Sequence, residues 1–272
     1  MIIKTGLIPR IAFELFGVPI YWYAILIVGS MILGLIWCKL HDGRFGIKFE
    51  QLLDLAIIVL PTAIICARLY YVLFSLDYFL SNPSEIIRIK DGGLAIYGGI
   101  IGGIIVIAIF SKIKKLKLLD ITDYIAPIVA FCQSIGRWGN YINIEAYGYE
   151  TNWPIKMEVI EAGITKYVHP TFLYESICTL AIFIVLSILS RKRKFSGEIT
   201  FMYIICYSFI RFFIEGLRTD SLMLFDCRIS QILSLALFIV FSIIMINKKN
   251  KYKQMSKKVE KERWKVAWNG QK

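Results

Sequence analysis

The sequence predicts an all-α polytopic integral membrane protein: seven transmembrane helices, N-terminus outside, C-terminus cytoplasmic. Three observations lead there. The chain of 272 residues is 57% hydrophobic with only 19% charged residues and a mean hydropathy of +0.62, whereas a soluble domain is nearer half apolar and about 25% charged. Its charges are clustered, leaving apolar runs of the length that crosses a ~30 Å hydrocarbon core at 1.5 Å per residue. Its basic residues alternate between dense and sparse loops, and short basic loops stay cytoplasmic.

Seven runs follow in order: Ile20–Trp37, Leu52–Phe74, Leu94–Phe110, Ile121–Arg137, Thr171–Ser190, Ile199–Ile214 and Ile229–Ile246. Lys39, Arg44 and Lys48 lie between the first two, Lys112, Lys114, Lys115 and Lys117 between the third and fourth, and Arg191 to Lys194 between the fifth and sixth. Ten more basic residues follow Ile246. Residues 1–246 therefore read as one seven-helix transmembrane domain and 247–272 as a basic cytoplasmic tail, either disordered or an interfacial helix. Near anionic headgroups each of its cations is attracted by about 1 kcal/mol. This distribution places the formal charge of +12 at a membrane face and leaves no need for a nucleic-acid partner. Cys38, Cys66, Cys132, Cys178, Cys206 and Cys227 are scattered without a CxxC pair, so neither a zinc site nor a disulfide framework is indicated. No metal or other cofactor is expected. The first run lacks a small-residue cleavage site after a short apolar core, so it is read as a retained span.

The informative residues are those that a bilayer should exclude. An arginine at the bilayer centre costs roughly 2.5–3.5 kcal/mol on insertion scales, so intramembrane ions face a cavity or a partner. Arg68 lies inside the second run, Asp123 and Arg137 bracket the fourth, Glu175 begins the fifth, and Arg211 and Glu215 end the sixth. Tyr207, Arg211, Glu215 and Arg218 form one helical stripe leading to Asp220, with Arg211 and Glu215 spaced to pair on one face. Its two arginines and one glutamate leave a net positive site. In "CQSIGRWGNYINIEAYG", residues 132–148, Gly136, Gly139 and Gly148 argue against a long regular helix, while Arg137 and Asn140 share a face if its first part is helical. A planar guanidinium fork suits phosphate or carboxylate, which makes a phospholipid headgroup the plausible anion. "GGLAIYGGIIGG" places glycines four apart for close helix packing and sets Tyr97 between glycine pairs. His169 stands beside Tyr174 and Glu175, and reads equally as an interfacial hydrogen-bonding residue.

These blocks together resemble the prolipoprotein diacylglyceryl transferase family. "GRWGNYINIEAYG", "GGLAIYGGIIGG", "HPTFLYES" and "RFFIEGLRTD" are similar to its motifs, as are "FELFGVPIYWYAILI" and "ARLYYVLF", and the resemblance runs from about Phe13 to Asp220. It implies a seven-helix bacterial membrane enzyme that moves the diacylglyceryl group of phosphatidylglycerol onto the lipobox cysteine of a prolipoprotein, forming a thioether and releasing glycerol 1-phosphate. The family's phosphatidylglycerol-binding arginine falls on Arg137, and its other functional positions on Tyr23, Tyr71, Asn140, Glu145, Tyr207, Arg211 and Glu215. Two departures stand out. Many members carry histidine where this chain has Tyr97, and many carry glycine where it has Ile144, which raises a question of local packing.

The chemistry implied has a thiol attacking an sp³ carbon while a phosphate ester departs. Preorganised arginines in a water-poor site stabilise such a leaving group. Arg137, Arg211, Tyr97, Asn140 and Glu145 are therefore the expected catalytic residues, with Tyr23, Tyr71, Tyr207, Glu215 and His169 joining Arg137 in binding substrate. Glu145 and Glu215 are expected to orient the arginines, not to act as bases. Without the resemblance, an anion or lipid transporter and a non-catalytic assembly factor also place arginines at depth. Transporters usually show inverted repeats, and no such pairing is visible here.

Overall fold

The computed structural model describes residues 1–89, 92–225 and 227–269. Strands β1 (Ile2–Ile3), β2 (Ile11–Leu15) and β3 (Val18–Tyr21) lead into α1 (Trp22–Leu40). Helices α2 (Phe49–Leu73), α3 (Leu76–Ser81), α4 (Ile96–Ile113) and α5 (Leu118–Asn143) follow. Then come β4 (Lys156–Glu161), β5 (Ile164–Val168), α6 (Thr171–Leu189), α7 (Glu198–Leu217), β6 (Met223–Leu224), β7 (Cys227–Arg228) and α8 (Ile229–Asn269). All of these helices except the six-residue α3 are long and apolar enough to cross a membrane, which makes seven among the described residues. The protein is thus mostly helical, but not wholly so: a β2–β3 hairpin precedes the first span, a β1-β4-β5 sheet joins the N-terminal segment to the loop after α5, and a β6–β7 ribbon lies between α7 and α8.

Three sequence expectations need correction or extension. The fourth span does not stop at the glycines; α5 continues through Gly136 and Gly139 to Asn143. A helical glycine costs roughly 1 kcal/mol against alanine, and Gly139 has a reason to be there: the Tyr23 ring occupies the space that a Cβ would need. The described part of the tail is helical: α8 takes in both the seventh span and residues 247–269, 41 residues in one helix. At 1.5 Å per residue that is about 60 Å, twice the hydrocarbon thickness. The last three residues of the tail lie outside the described residues. The loop after α5, where the all-α expectation has no strand, contains the β4–β5 hairpin. Its signals were present: Met157 and Val159 alternate inward, and Ala162-Gly163 supplies the two positive φ values, 49° and 80°, of a two-residue hairpin turn.

The chain forms two compact units, Met1–Gly34 with Thr122–Lys272, and Leu35–Ile121. In the second, α2 packs on α4, and Gly98 and Gly102 are both buried where α2 leaves no room for a side chain. The close-packing interpretation of these glycines holds. Arg68 is a staple here. Its Nε donates to Ile86 O at 2.9 Å, and its two terminal nitrogens donate to Gly92 O at 2.8 Å, Gly93 O at 3.0 Å and Glu85 O at 2.6 Å. The buried charge is satisfied by loop carbonyls, which ties Glu85, Ile86, Gly92 and Gly93 to α2.

In the first unit, α6 packs on α7 and α7 on α8. Ala126, Ala130, Ile182, Leu186 and Ile199 form one buried cluster, while Met157, Val159, Val168 and Phe172 form another under the sheet. Asp123, fully buried, ties α5 to the start of α7. Its carboxylate accepts from Gly197 N at 2.7 Å, Thr200 N at 2.8 Å, Thr200 Oγ1 at 2.7 Å and Arg193 at 2.9 Å. It therefore satisfies orphan amides at the helix N-terminus, where the macrodipole favours negative charge. Breaking a buried ion pair by removing one partner costs about 3–5 kcal/mol. Asp123→Ala is accordingly expected to lower the thermal unfolding midpoint of the detergent-solubilised protein sharply, and an unchanged midpoint would refute this capping role.

Candidate active site

The polar residues of the first unit converge on one carboxylate. Glu175, in the first turns of α6 and 2% exposed, accepts hydrogen bonds from both neighbouring helices. Arg137 of α5 donates to its Oε1 at 2.5 Å and Tyr207 of α7 to the same oxygen at 3.1 Å, while Arg211 of α7 donates to Oε2 at 3.1 Å. Arg211 also lies 2.5 Å from Glu215 Oε2, the i,i+4 pair expected on that face. Arg137 donates to Asn140 Oδ1 at 3.1 Å, and Asn140 Nδ2 donates to Glu145 Oε1 at 2.8 Å. Asn143 Nδ2 reaches the same Glu145 oxygen at 3.4 Å.

The helices that present these groups are pinned beside them. Trp138 Nε1 donates to Ser176 Oγ at 3.1 Å, and Ser176 Oγ donates to Ser134 O at 2.8 Å, locking α5 to α6 one residue away from Arg137 and Glu175. The Tyr23 ring against Gly139 fixes the start of α1 one residue from Asn140. Arg10 donates to Asn143 O at 2.9 Å, closing the end of α5.

Three differences from expectation emerge. Glu145 reaches Arg137 through Asn140 and not directly, because the i,i+3 spacing brings Asn140 to the guanidinium first. Glu215 does pair with Arg211. The stripe is not net positive, since Arg211 pairs with both Glu175 and Glu215, and Arg218 makes two hydrogen bonds to Asp220, at 2.9 and 2.8 Å. Burial pushes the Asp220 carboxyl up, but those bonds outweigh it and hold the group below its ordinary value. The residue that sequence reasoning left out of the site is Glu175. Its position at membrane depth was the available signal, but nothing local paired it with either arginine.

Ile144 also has a different meaning. It stands at φ 56°, a left-handed conformation that β-branched residues rarely adopt and glycine takes freely. Its side chain packs on the Met157–Phe172 cluster, which offsets the strain. The departure from glycine is thus a backbone matter before it is a packing one.

His169 lies outside the cluster. Its ring is hydrogen-bonded to the Tyr174 hydroxyl at 3.3 Å, and its backbone pairs with Gly148 and Tyr149. Burial holds its pKa below the usual histidine value. Among the described residues its ring makes no hydrogen bond to Arg137 or Glu175. Tyr71 and Tyr97 belong to the second unit. Tyr71 lies under the Arg68 guanidinium, 5.8 Å from its ring centroid, and Tyr97 is half-exposed in the first turn of α4.

Apolar helices long enough to span a bilayer, with two arginines locked around one buried carboxylate, define a polytopic membrane protein with a preorganised site for anionic chemistry. A family model described as prolipoprotein diacylglyceryl transferase matches residues 10–247. The chain belongs to this family. The phosphatidylglycerol–prolipoprotein diacylglyceryl transferase of Clostridioides difficile (strain 630) is 46% identical over 246 residues, covering 89% of this chain and 97% of that relative. The protein of the same description from Finegoldia magna is 46% identical over 255 residues, covering 93% and 99%. That from Bacillus cereus (strain ATCC 14579) is 43% identical over 263 residues, covering 92% and 96%.

Proposed function

We propose that this chain transfers the diacylglyceryl group of phosphatidylglycerol to the lipobox cysteine of prolipoproteins in a bacterial cytoplasmic membrane. The observation that carries this reading is the Arg137–Glu175–Arg211 cluster in a member of this family. The cysteine sulfur attacks the terminal glyceryl carbon and forms a C–S bond. The C–O bond to phosphate breaks, its electron pair leaves with glycerol 1-phosphate, and the thiol proton passes to solvent. Arg137 and Arg211 each have five N–H donors, of which the contacts to Asn140, Glu175 and Glu215 use only a part. The remainder suits the oxygens of a departing phosphate, whose growing charge a water-poor, preorganised site stabilises. Asn140 and Glu145 position Arg137, while Tyr207 and Glu215 position Glu175 and Arg211. Tyr23 borders the same group. A thiol of ordinary pKa near 8.5 is a few per cent ionised at neutral pH, so a dedicated base is not required. Incubating purified protein with phosphatidylglycerol and a lipobox peptide should add the mass of one diacylglyceryl group; no gain would refute the reading, and movement of lipid without covalent change would favour a transporter.

Tyr71, Tyr97 and His169 enter as substrate-contact residues on the strength of the resemblance. Phenols are poor bases at neutral pH, with pKa near 10, so Tyr97 is assigned a hydrogen bond and no proton transfer. Losing one neutral hydrogen bond costs on the order of 0.5–1.5 kcal/mol, about 2- to 13-fold in rate. Tyr97→Phe is therefore expected to keep measurable activity with the same profile from pH 6 to 9. Activity as low as that of Arg137→Ala would make the phenol chemically necessary.

The same reading places the N-terminus and the arginine cluster at the outer face, with the tail in the cytoplasm. Single cysteines at Lys115 and Lys156 should be labelled by an impermeant thiol reagent only from the inside and only from the outside, respectively. Outside access at Lys115 would reverse the orientation.

A further inference from the structure

The polar seam between α5 and α7 runs one turn deeper than the arginine cluster. Gln133 precedes Arg137 by four residues on α5, so the two lie on one helix face. Tyr203 precedes Tyr207 by four residues on α7 in the same way. The Tyr203 hydroxyl donates to Gln133 Oε1 at 2.9 Å. Its ring stacks on that of Tyr207, with centroids 5.8 Å apart and planes 10° from parallel. Tyr207 in turn donates to the Glu175 oxygen that Arg137 also holds. Gln133 is thus joined to the charge cluster twice, along its own helix and through the two tyrosines.

Half of this amide is unused. A primary amide carries two N–H donors besides its carbonyl, and Tyr203 occupies only the carbonyl. Among the described residues no acceptor meets Gln133 Nε2. The side chain is only half-buried, and this nitrogen is not sealed in the core. An N–H turned towards hydrocarbon without a partner is costly, so its placement calls for an acceptor from outside the protein. From Arg137 to Gln133 the helix descends about 6 Å into the span. A lipid whose phosphate lies at Arg137 presents its ester carbonyls at that depth, one glyceryl unit below the phosphorus.

We propose that Gln133 Nε2 donates to an ester carbonyl of the diacylglyceryl group, which makes Gln133 a substrate-contact residue and Tyr203 the positioning residue that turns its amide outward. The inference rests on the reaction proposed above and adds a second point of recognition to it. With the phosphate at the arginines and a carbonyl at Gln133, the glyceryl carbon between them is held at both sides and cannot pivot about the phosphate. Misplacement of about 1 Å can cost 10²-fold in rate. The contact also confers selectivity: a lipid with ether-linked chains offers no carbonyl and leaves the amide N–H unpaired.

The test compares phosphatidylglycerol with its diether counterpart of equal chain length. Each is given to purified full-length protein in detergent with a lipobox peptide. The ether donor keeps the headgroup, the glyceryl carbon and the tails, and lacks only the carbonyls. Wild type should transfer from the ester donor about 2- to 13-fold faster, the range for one neutral hydrogen bond. Gln133→Met keeps the length of the side chain without its donor, and should bring the ester-to-ether ratio close to one through a fall in the ester rate. Tyr203→Phe leaves the amide free to rotate and should lower the ratio part of the way. Gln133→Met combined with Tyr203→Phe leaves no hydroxyl unpaired, which guards against loss of folding, and should show the same convergence as Gln133→Met. An ester preference that survives Gln133→Met, equal slowing on both donors, or no preference in wild type would overturn the contact while leaving the reaction intact. Absence of transfer by wild type from either donor would overturn both.

Discussion

Arg137→Lys is expected to abolish transfer almost as completely as Arg137→Ala, with both proteins inserting and accumulating. Arg137 holds Asn140 with one terminal nitrogen and Glu175 with the other, so its plane is fixed before any ligand arrives. A lysine keeps the charge but offers a single flexible ammonium that cannot grip Glu175, Asn140 and a phosphate at once. Removing one preorganised donor from a site that stabilises developing negative charge costs about 10²–10³ in rate, and losing the fork should cost at least that. The check is the rate of diacylglyceryl transfer per mole of purified protein. Full activity in the lysine variant would reduce Arg137 to a general positive charge. A variant that fails to accumulate would give it a role in packing instead.

Glu175→Gln carries the second large effect, and it separates positioning from assembly. Glu175 touches Arg137, Arg211 and Tyr207, and in the proposed reaction it acts through them as a positioning residue. Its replacement removes one negative charge that competes with the lipid phosphate, yet it also releases both guanidinium planes. The two consequences act on different constants. Donor KM should stay level or fall, while kcat falls by about 10²-fold, since misalignment near the reacting centre is felt in the transition state. Glu175→Asp, which keeps the charge on a shorter stem, should recover part of kcat. Unchanged kcat in whatever protein accumulates would show that Glu175 serves helix association alone.

How much of this could be read before folding depends on how local each interaction is. Arg137 with Asn140 and Arg211 with Glu215 lie three and four residues apart on single helices, so spacing sufficed. The spans themselves were visible because apolar length is a direct requirement of the bilayer. Glu175 was visible as an anomaly but not as a hub, because its partners lie 36 and 38 residues away on other helices. Only the packing of α5, α6 and α7 decides which charge meets which. The length of α5 was misjudged for a related reason: glycine's local preference was overridden by the Tyr23 ring, a contact between residues far apart in sequence. Arg68 shows the converse, a buried charge with no ionic partner among the described residues, whose carbonyl acceptors in the following loop no charge-pairing rule would reveal.

The single carboxylate shared by three helices also bears on how the chain is made. Synthesis delivers Arg137 first, then Glu175, then Arg211. When α5 leaves the ribosome its guanidinium has no counter-ion, and α5 and α7 are the two least apolar of the candidate spans. The intervening α6 is strongly apolar and brings the neutralising charge. During biogenesis α5 is therefore a poor candidate for solitary release into lipid, and it gains from waiting at the insertion machinery until α6 arrives. The later arrival of α7 brings Arg211 together with Glu215, so the neutral helix pair stays balanced as it becomes a triad.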